Sequence, residues 1–260
     1  MTWLCIVSLQ QNTIILSYNK TSCSFKSGRR AGTWSSTQGN VLPSPLQNPL
    51  LHYILHGHTL DTVDSAKYLG VTLTKDLTWE THINSIIQKA NKTLGFLRRN
   101  LKISSTKIKE TAYKTFVRPI LEYACTVWDP HTQTNIDRLE AVQRRAARFV
   151  VNRYHNTSSV SGMIDQLNWP TLQHRRRVAR LAMLRKILND EAIFNKKNIN
   201  PAPPRRRRGH SQQLVQIQCR RDYRNFSFLP NTIREWNSLP SSAVEAATLD
   251  TFKSRVPPTS

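Results

Sequence analysis

Residues 79–99 place apolar and polar side chains at the period of an α-helix. Six apolar residues share one face: Ile83, Ile86, Ile87, Ala90, Leu94 and Leu97. Three cations lie away from that face: Lys89, Lys92 and Arg99. The pattern predicts an amphipathic helix that packs its apolar face on a core, exposes its basic face and stops at Asn100.

A second helix is predicted over residues 106–128. Proline lacks the N–H group of a helical hydrogen bond, so we expect a kink or a break at Pro119. The residues expected to point inward are Ile108, Ala112, Phe116, Ile120, Leu121 and Ala124. Asp129 and Pro130 are expected to end this helix.

Two longer helices and one short helix are predicted after residue 130. The first long helix begins near Thr134, and its apolar face consists of Leu139, Val142, Ala146, Phe149 and Val150. Its opposite face carries Arg144, Arg145 and Arg148. A short helix is predicted over residues 158–167. The last helix is expected to start at Pro170, to run to about residue 189 and to bury Val178, Leu181, Leu184 and Leu188.

The segments before and after the predicted helices differ from them in composition and in predicted structure. Residues 1–50 contain no acid, since the first is Asp61, and we expect a poorly ordered leader there. Residues 51–78 read as a small antiparallel β-hairpin with turn positions at Gly57 and Gly70. Residues 195–212 read as a basic linker. A tail over 213–260 is predicted to hold a strand at 214–219 and short helices at 232–239 and 244–256.

These elements predict a mainly α fold. A helical region over residues 79–194 is preceded by the small antiparallel β-hairpin and followed, after the basic linker, by a loosely attached α/β tail. No apolar run approaches the ~20 residues of a membrane span. The four cysteines, at positions 5, 23, 125 and 219, are far apart. This spacing favours a reduced, intracellular location in the nucleus, the cytoplasm or both.

The strongest signal is positive charge. The chain has 38 Lys and Arg against 16 Asp and Glu, a formal net charge of +22. Arginine dominates four clusters, and its guanidinium group binds phosphate through two parallel hydrogen bonds. One such cluster alone would indicate only a solvated face, whereas four indicate a nucleic-acid partner held through its backbone. The candidate binding residues are Lys89, Lys92, Arg98, Arg99, Arg144, Arg145, Arg148, Arg175, Arg176, Arg205, Arg206, Arg207 and Arg208. The last four could equally form a nuclear-import signal.

Candidate catalytic chemistry is missing from the sequence. The only adjacent acids are Asp190 and Glu191, which we interpret as a solvated helix end. The three histidines of the hairpin region could suit a metal, but exposed histidines are the stronger interpretation; they are His52, His56 and His58. We therefore expect no catalytic residue, no metal site and no cofactor in this chain.

Several short motifs together resemble a known family. Residues 67–71 (KYLGV), followed by Trp79 and residues 82–83, look like the end of the palm in non-LTR retrotransposon (LINE) reverse transcriptases of the jockey and CR1 type. Residues 90–100 (ANKTLGFLRRN) resemble the start of the thumb. Further matching pieces lie at 118–128, 139–148, 167–176 and 227–240, so that the resemblance spans about residues 51–255.

The resemblance implies RNA-directed DNA polymerase activity in the parent family, with two Mg²⁺ ions at an aromatic-x-Asp-Asp turn and a further aspartate. This sequence contains no Asp-Asp pair. We therefore expect a truncated C-terminal fragment with a thumb-like helical bundle, inactive alone, with Mg²⁺ only in the full-length enzyme. Its partners would be RNA, DNA or an RNA–DNA hybrid, and no membrane. The alternatives are a non-catalytic basic nucleic-acid-binding module and an inert transposon remnant.

Overall fold

A computed structural model describes residues 63–103, 105–155, 159–203 and 210–258, and before residue 63 only the backbone of short strands. The chain divides into two compact units, Met1–His82 and Ile83–Ser260. Apart from those strands, the predicted leader at 1–50 lies outside the described residues. The same holds for the side chains of His52, His56 and His58 and for Arg205, Arg206, Arg207 and Arg208.

Short strands make up the described backbone before residue 63. A four-stranded sheet has the order β1-β2-β5-β8. Its strands are β1 (Ile6–Leu9), β2 (Asn12–Tyr18), β5 (Gly39–Leu42) and β8 (Asp61–Thr62). Two antiparallel pairs complete this part: β3 (Phe25–Ser27) with β4 (Arg30–Gly32), and β6 (Ile54–Leu55) with β7 (His58–Thr59).

The hairpin expected around Gly70 is present. Strand β9 (Ser65–Tyr68) pairs antiparallel with β10 (Val71–Thr74), with Tyr68 opposite Val71. Leu69 and Gly70, the two connecting residues, both have positive φ, 45° and 82°. This is the backbone of a tight two-residue hairpin turn, and it costs glycine nothing. A small cluster on one face is built from Tyr68 and Leu73, with Val63, Ala66 and Trp79 packed against it.

The amphipathic helix predicted at 79–99 is α1 (Glu80–Asn100), so this prediction is confirmed to within a residue at each end. Four of its predicted apolar residues are buried, namely Ile83, Ala90, Leu94 and Leu97. Ile86 and Ile87 are half-buried. The turn before the helix is fixed by Asp76, whose carboxylate accepts hydrogen bonds from the side chains of Thr74 (2.5 Å) and Thr78 (3.0 Å).

The second predicted helix is broken into four pieces. They are α2 (Thr106–Ala112), a π-helical turn (Tyr113–Val117), α3 (Arg118–Glu122) and α4 (Cys125–Trp128). The π-turn lies directly before Pro119, whose missing N–H cannot serve an ordinary α-helical bond. There the Arg118 N–H donates to the Tyr113 carbonyl, five residues back. A second break falls at Ala124, which adopts a left-handed conformation with φ 52°.

The inward face predicted for this segment is partly wrong. Ile108 and Phe116 are exposed, whereas Tyr113, Val117 and Leu121 are buried. Of these three, only Leu121 was expected to point inward. Tyr113 stacks on Trp169 with ring centroids 4.5 Å apart, and this contact turns the other face of the segment to the surface.

The next helices match their predictions closely. Helix α5 (Gln133–Val151) is followed by α6 (Val160–Gln166) and α7 (Leu172–Leu188). All five residues predicted for the apolar face of α5 are buried. Pro170 was predicted to lie in the first turn of α7, but the helix is capped by Thr171, whose hydroxyl accepts from the His174 N–H at 3.1 Å. A short 3₁₀ turn follows at Lys196–Asn198.

The C-terminal segment contains α8 (Asp222–Asn225), α9 (Phe228–Asn237), α10 (Ser241–Val244) and α11 (Leu249–Arg255). The strand predicted at 214–219 is wrong: a single antiparallel bridge joins Pro201 to Leu214. The expected loose attachment is wrong as well. Trp236 and Phe252 are buried in one cluster with Leu181 and Leu184 of α7. The predicted mainly α fold with a small preceding hairpin is confirmed.

Candidate nucleic-acid interface

Helices α1 and α5 lie side by side and run in the same direction. Arg138 of α5 donates to the Asn84 side chain of α1, and Arg145 donates to Asn91 at 3.2 Å. From the first contact to the second, the residue number rises by seven, or two helical turns, on both helices. The two helices are therefore parallel. Polar Asn–Arg links thus join the two helices along the solvent side of their contact.

Basic side chains cover the outer surface of this pair. Residues 81–109 contain seven Lys and Arg and no Asp or Glu. The exposed cations of the pair are Lys89, Lys92, Arg98, Arg99, Arg144 and Arg145. Within the described parts of the chain, none of these six forms an ion pair with a carboxylate. We call these six residues the basic face. Their charge is uncompensated locally, and such a surface attracts polyanions.

The three arginines predicted on α5 have different environments. Arg145 is held toward α1 through Asn91, and Arg144 reaches the Asp137 carbonyl at 3.3 Å while it stays exposed. Arg148 is half-buried, and its Nε atom is fully covered by protein. The structure therefore brings Arg144 and Arg145 to the surface with α1 and turns Arg148 partly inward.

The arginines of α7 are not part of this surface. Arg176 has no exposed area, and its Nε atom lies 2.7 Å from Asp129 Oδ1. Arg175 donates through Nη2 to Glu122 Oε2 at 3.0 Å, and this hydrogen bond raises the pKa of the Arg175 guanidinium. Both guanidinium groups are engaged with carboxylates of the same chain, and the contact of Arg175 and Arg176 with phosphate stays a prediction.

The same ion-pair network continues along α7. Arg180 lies between two carboxylates, 2.7 Å from Asp129 Oδ2 and 2.9 Å from Glu235 Oε1. Arg177 lies 3.3 Å from Glu235 Oε2 and donates to the Pro257 carbonyl at 2.6 Å. These contacts tie α7 to the loop after α4 and to the C-terminal segment.

One residue of the basic surface was not predicted from the sequence. Phe96 is 57% exposed on the outer side of α1, between Lys92 and Arg99. The sequence indicates this exposure, because residue 96 lies outside the apolar helix face formed by Leu94 and Leu97. A lone aromatic residue among cations does not stand out when only charges are compared.

The structure brings together no group of side chains suited to metal-dependent catalysis within the part of the chain that it describes. Among these residues, no three His, Cys, Asp or Glu side chains come together in a way that could hold a metal ion. The donor set of this part of the chain therefore does not fit the two-Mg²⁺ centre of the family it resembles. Burial raises the pKa of the Cys125 thiol to about 11, which keeps it protonated and unreactive. No helix in the described ranges is long and apolar enough to cross a membrane.

Comparison with known proteins gives three informative similarities. The chain is 32% identical over 112 residues to a probable RNA-directed DNA polymerase from transposon BS of Drosophila melanogaster, covering 42% of this chain and 12% of that protein. It is 27% identical over 129 residues to the corresponding protein of transposon X-element of the same organism, covering 45% and 14%. An uncharacterized protein of Caenorhabditis elegans is 26% identical over 119 residues, covering 45% of this chain and 60% of that protein.

These similarities relate the chain to RNA-directed DNA polymerases of transposons, that is, to reverse transcriptases. The matched stretches span only 12% and 14% of the two Drosophila polymerases. No protein-family model matches the chain, and no solved structure matches it.

Proposed function

We propose that this chain is a C-terminal, thumb-containing part of a LINE-type reverse transcriptase of the jockey or CR1 group, and that it binds nucleic acid without polymerising alone. Two relatives named as RNA-directed DNA polymerases support the first half of this proposal. The absence of an Asp-Asp pair from the sequence supports the second half. In this proposal the polymerase Mg²⁺ ions belong to the part of the relatives that this chain does not match.

The observation that carries the binding proposal is the basic face of α1 and α5. Its six exposed cations have no carboxylate partner within the described residues. A phosphate backbone is the ligand that such a surface attracts most strongly, since each neutralised phosphate releases a counterion. The partner would be RNA, DNA or a hybrid, recognised through its backbone without sequence preference.

The test is the salt dependence of binding. The variant Lys89→Gln/Arg144→Gln/Arg145→Gln removes three charges from the basic face. For a duplex DNA, we expect the slope of log K against log salt to flatten by about 0.9 for each phosphate that the variant no longer neutralises. Fluorescence anisotropy titrations at several salt concentrations measure both slopes.

A matched control separates this surface from the general charge of +22. The variant Lys197→Gln/Arg220→Gln/Arg221→Gln removes three equally exposed cations outside the basic face. We expect its slope to stay close to that of the wild type. Equal flattening in both variants would contradict a defined interface and would leave only diffuse attraction by net charge.

A further inference from the structure

Phe96 is a large apolar side chain that the fold does not use. Its neighbours Leu94 and Leu97 are buried, whereas Phe96 points outward with 57% of its surface exposed. Within the described residues, it stacks on no other aromatic ring. Exposed apolar residues are common singly, but one in the middle of a charged face is a candidate contact residue.

The spacing of its neighbours places it in a row of cations. Lys89, Lys92, Phe96 and Arg99 follow at intervals of three, four and three residues, and therefore share one side of α1. The row rises by about 15 Å along the helix, and Lys92 and Arg99 are about 10 Å apart along its axis. The two cations thus flank the ring from the preceding and the following turn.

Gly95 leaves room for the side chain of the following cation, Arg99. A Cβ atom at Gly95 would lie 3.6 Å from the Arg99 Nη1 atom, so the guanidinium reaches back over the glycine beside Phe96. Asn100 closes the last turn by donating its side-chain amide to the Phe96 carbonyl at 2.8 Å. The ring therefore stands on an ordered helical turn, one residue after a glycine that the Arg99 guanidinium covers.

A phosphate backbone alone gives no reason for an aromatic ring at this position. The flat face of a nucleobase does, because stacking on an aromatic side chain is favourable for any base sequence. A base is free to stack on protein only where it is unpaired, since both faces of a paired base inside a duplex are covered by its neighbours.

We propose that Phe96 stacks on an unpaired nucleobase while Lys92 and Arg99 contact the phosphates on either side of that nucleotide. The occupant is a single-stranded segment of nucleic acid. This inference rests on the proposed function and deepens it, because it specifies that the bound nucleic acid is single-stranded and not only that it is negatively charged.

The experiment compares a single strand with a duplex on the full chain. Labelled oligothymidylate of about 12 nucleotides and a blunt duplex of equal length are titrated by fluorescence anisotropy. Phe96→Leu keeps an apolar side chain but removes the aromatic face, and Phe96→Trp restores such a face. Phe116→Leu is the matched control, since Phe116 is equally exposed (58%) but lies in the π-turn.

We expect Phe96→Leu to weaken single-strand binding by about fivefold to a hundredfold. Duplex affinity should change by less than about twofold, and the salt slope should stay the same because no charge is removed. Phe96→Trp and Phe116→Leu should bind the single strand like the wild type. Unchanged far-ultraviolet circular dichroism would show that α1 is intact.

Two results would overturn the stacking proposal. One is wild-type affinity of Phe96→Leu for the single strand, and the other is an equal loss of affinity for single strand and duplex. These failures are distinct from failure of the proposed function, which shows as an unchanged salt slope in the glutamine variant of the basic face. If that slope flattens but Phe96→Leu does not change single-strand affinity, the basic face is supported and the stacking contact is contradicted.

Discussion

Helices α5 and α7 both carry clusters of arginines, but the two clusters have opposite environments. Arg144 and Arg145 of α5 are exposed and have no carboxylate partner within the described residues. Arg176 and Arg180 of α7 are buried and lie against Asp129, with Glu235 as a second partner for Arg180. A cluster of arginines in a sequence therefore indicates a phosphate site only when the fold supplies no acid to it.

The reason for the difference is the surroundings of each helix. Helix α5 has an apolar side that is covered and a polar side that is free, whereas α7 packs against α3, α4, α5, α9 and α11. A guanidinium taken out of water must be compensated by charge and hydrogen bonds, because its desolvation is costly. Carboxylates of Glu122, Asp129 and Glu235 provide the counter-charge for the arginines of α7.

The largest effect is expected at the centre of the buried network. Asp129→Asn removes the carboxylate shared by Arg176 and Arg180, which leaves the buried Arg176 without a counter-charge and Arg180 with Glu235 alone. We expect a loss of about 3–5 kcal/mol in the free energy of unfolding. Urea denaturation measures it, with the exposed Asp165→Asn as the control. A loss below about 1 kcal/mol would show that these pairs are not buried in solution.

A smaller effect is expected where α7 holds the C-terminal segment. Arg185 donates to the carbonyls of Thr248 (3.1 Å) and Ala246 and lies 5.0 Å from the Phe252 ring. Arg185→Gln should lower the free energy of unfolding by about 1.5–3 kcal/mol, the usual range for hydrogen bonds of charged groups. Lys186→Gln, one residue further and half-exposed, should change it by less than about 0.5 kcal/mol. Equal effects at both positions would argue against this attachment.

The pH dependence of the folding stability tests the burial of α7 in a third way. Burial, with the nearby charges of Arg177 and Arg175, lowers the pKa of His174 on α7. The folded state then binds fewer protons than the unfolded state, so stability is complete above about pH 6.5 and falls as the pH drops toward the folded pKa. The slope is at most about 1.4 kcal/mol per pH unit for one proton.

The variant His174→Gln tests whether His174 causes this pH dependence. The variant should lose less stability than the wild type between pH 7.5 and 5.5, as measured by urea denaturation at each pH. His131→Gln serves as a control, because His131 is exposed and its ring stacks on Phe226. An identical pH profile for wild type and His174→Gln would remove His174 as the cause.

The smallest effect on stability is expected on the basic face. Arg144→Gln/Arg145→Gln removes one exposed hydrogen bond to Asn91 and one to the Asp137 carbonyl. The free energy of unfolding should therefore change by less than about 0.5 kcal/mol, while nucleic-acid binding becomes less salt-dependent. A destabilisation as large as that of Asp129→Asn would erase the contrast between the two arginine groups.

Much of the fold was predictable from the order of apolar residues. The helices α1, α5 and α7 and the hairpin at Gly70 all follow local patterns that need no distant partner. The segment over 106–128 was predicted less well, because a proline and a π-turn interrupt its period and the contact of Tyr113 with Trp169 chooses the buried side. Lys109 is buried there with its ammonium 5.6 Å from the Phe149 ring, a position that no helical pattern assigns to a lysine.

The candidate site was predictable in part. The cations of α1 were correctly placed on the outer face because they lie opposite an apolar stripe. For α7 the same logic predicts that Arg175 and Arg176 lie in solvent, since the pattern treats every arginine as polar, whereas Arg176 is buried and Arg175 is half-buried. Phe96 is the opposite case, because the apolar stripe of α1 leaves this aromatic residue outside and the structure shows it exposed.

The sequence by itself determined the strongly basic character of the chain, its mainly helical content and its similarity to transposon reverse transcriptases, because these depend on composition and local order. Only the tertiary structure decided which cations are available to a partner. Glu122, Asp129 and Glu235 lie 47 to 58 residues from the arginines of α7 that they bind, and no local pattern brings them together. Burial and ion pairing depend on such distant contacts, so the division between structural and exposed arginines exists only in the folded chain.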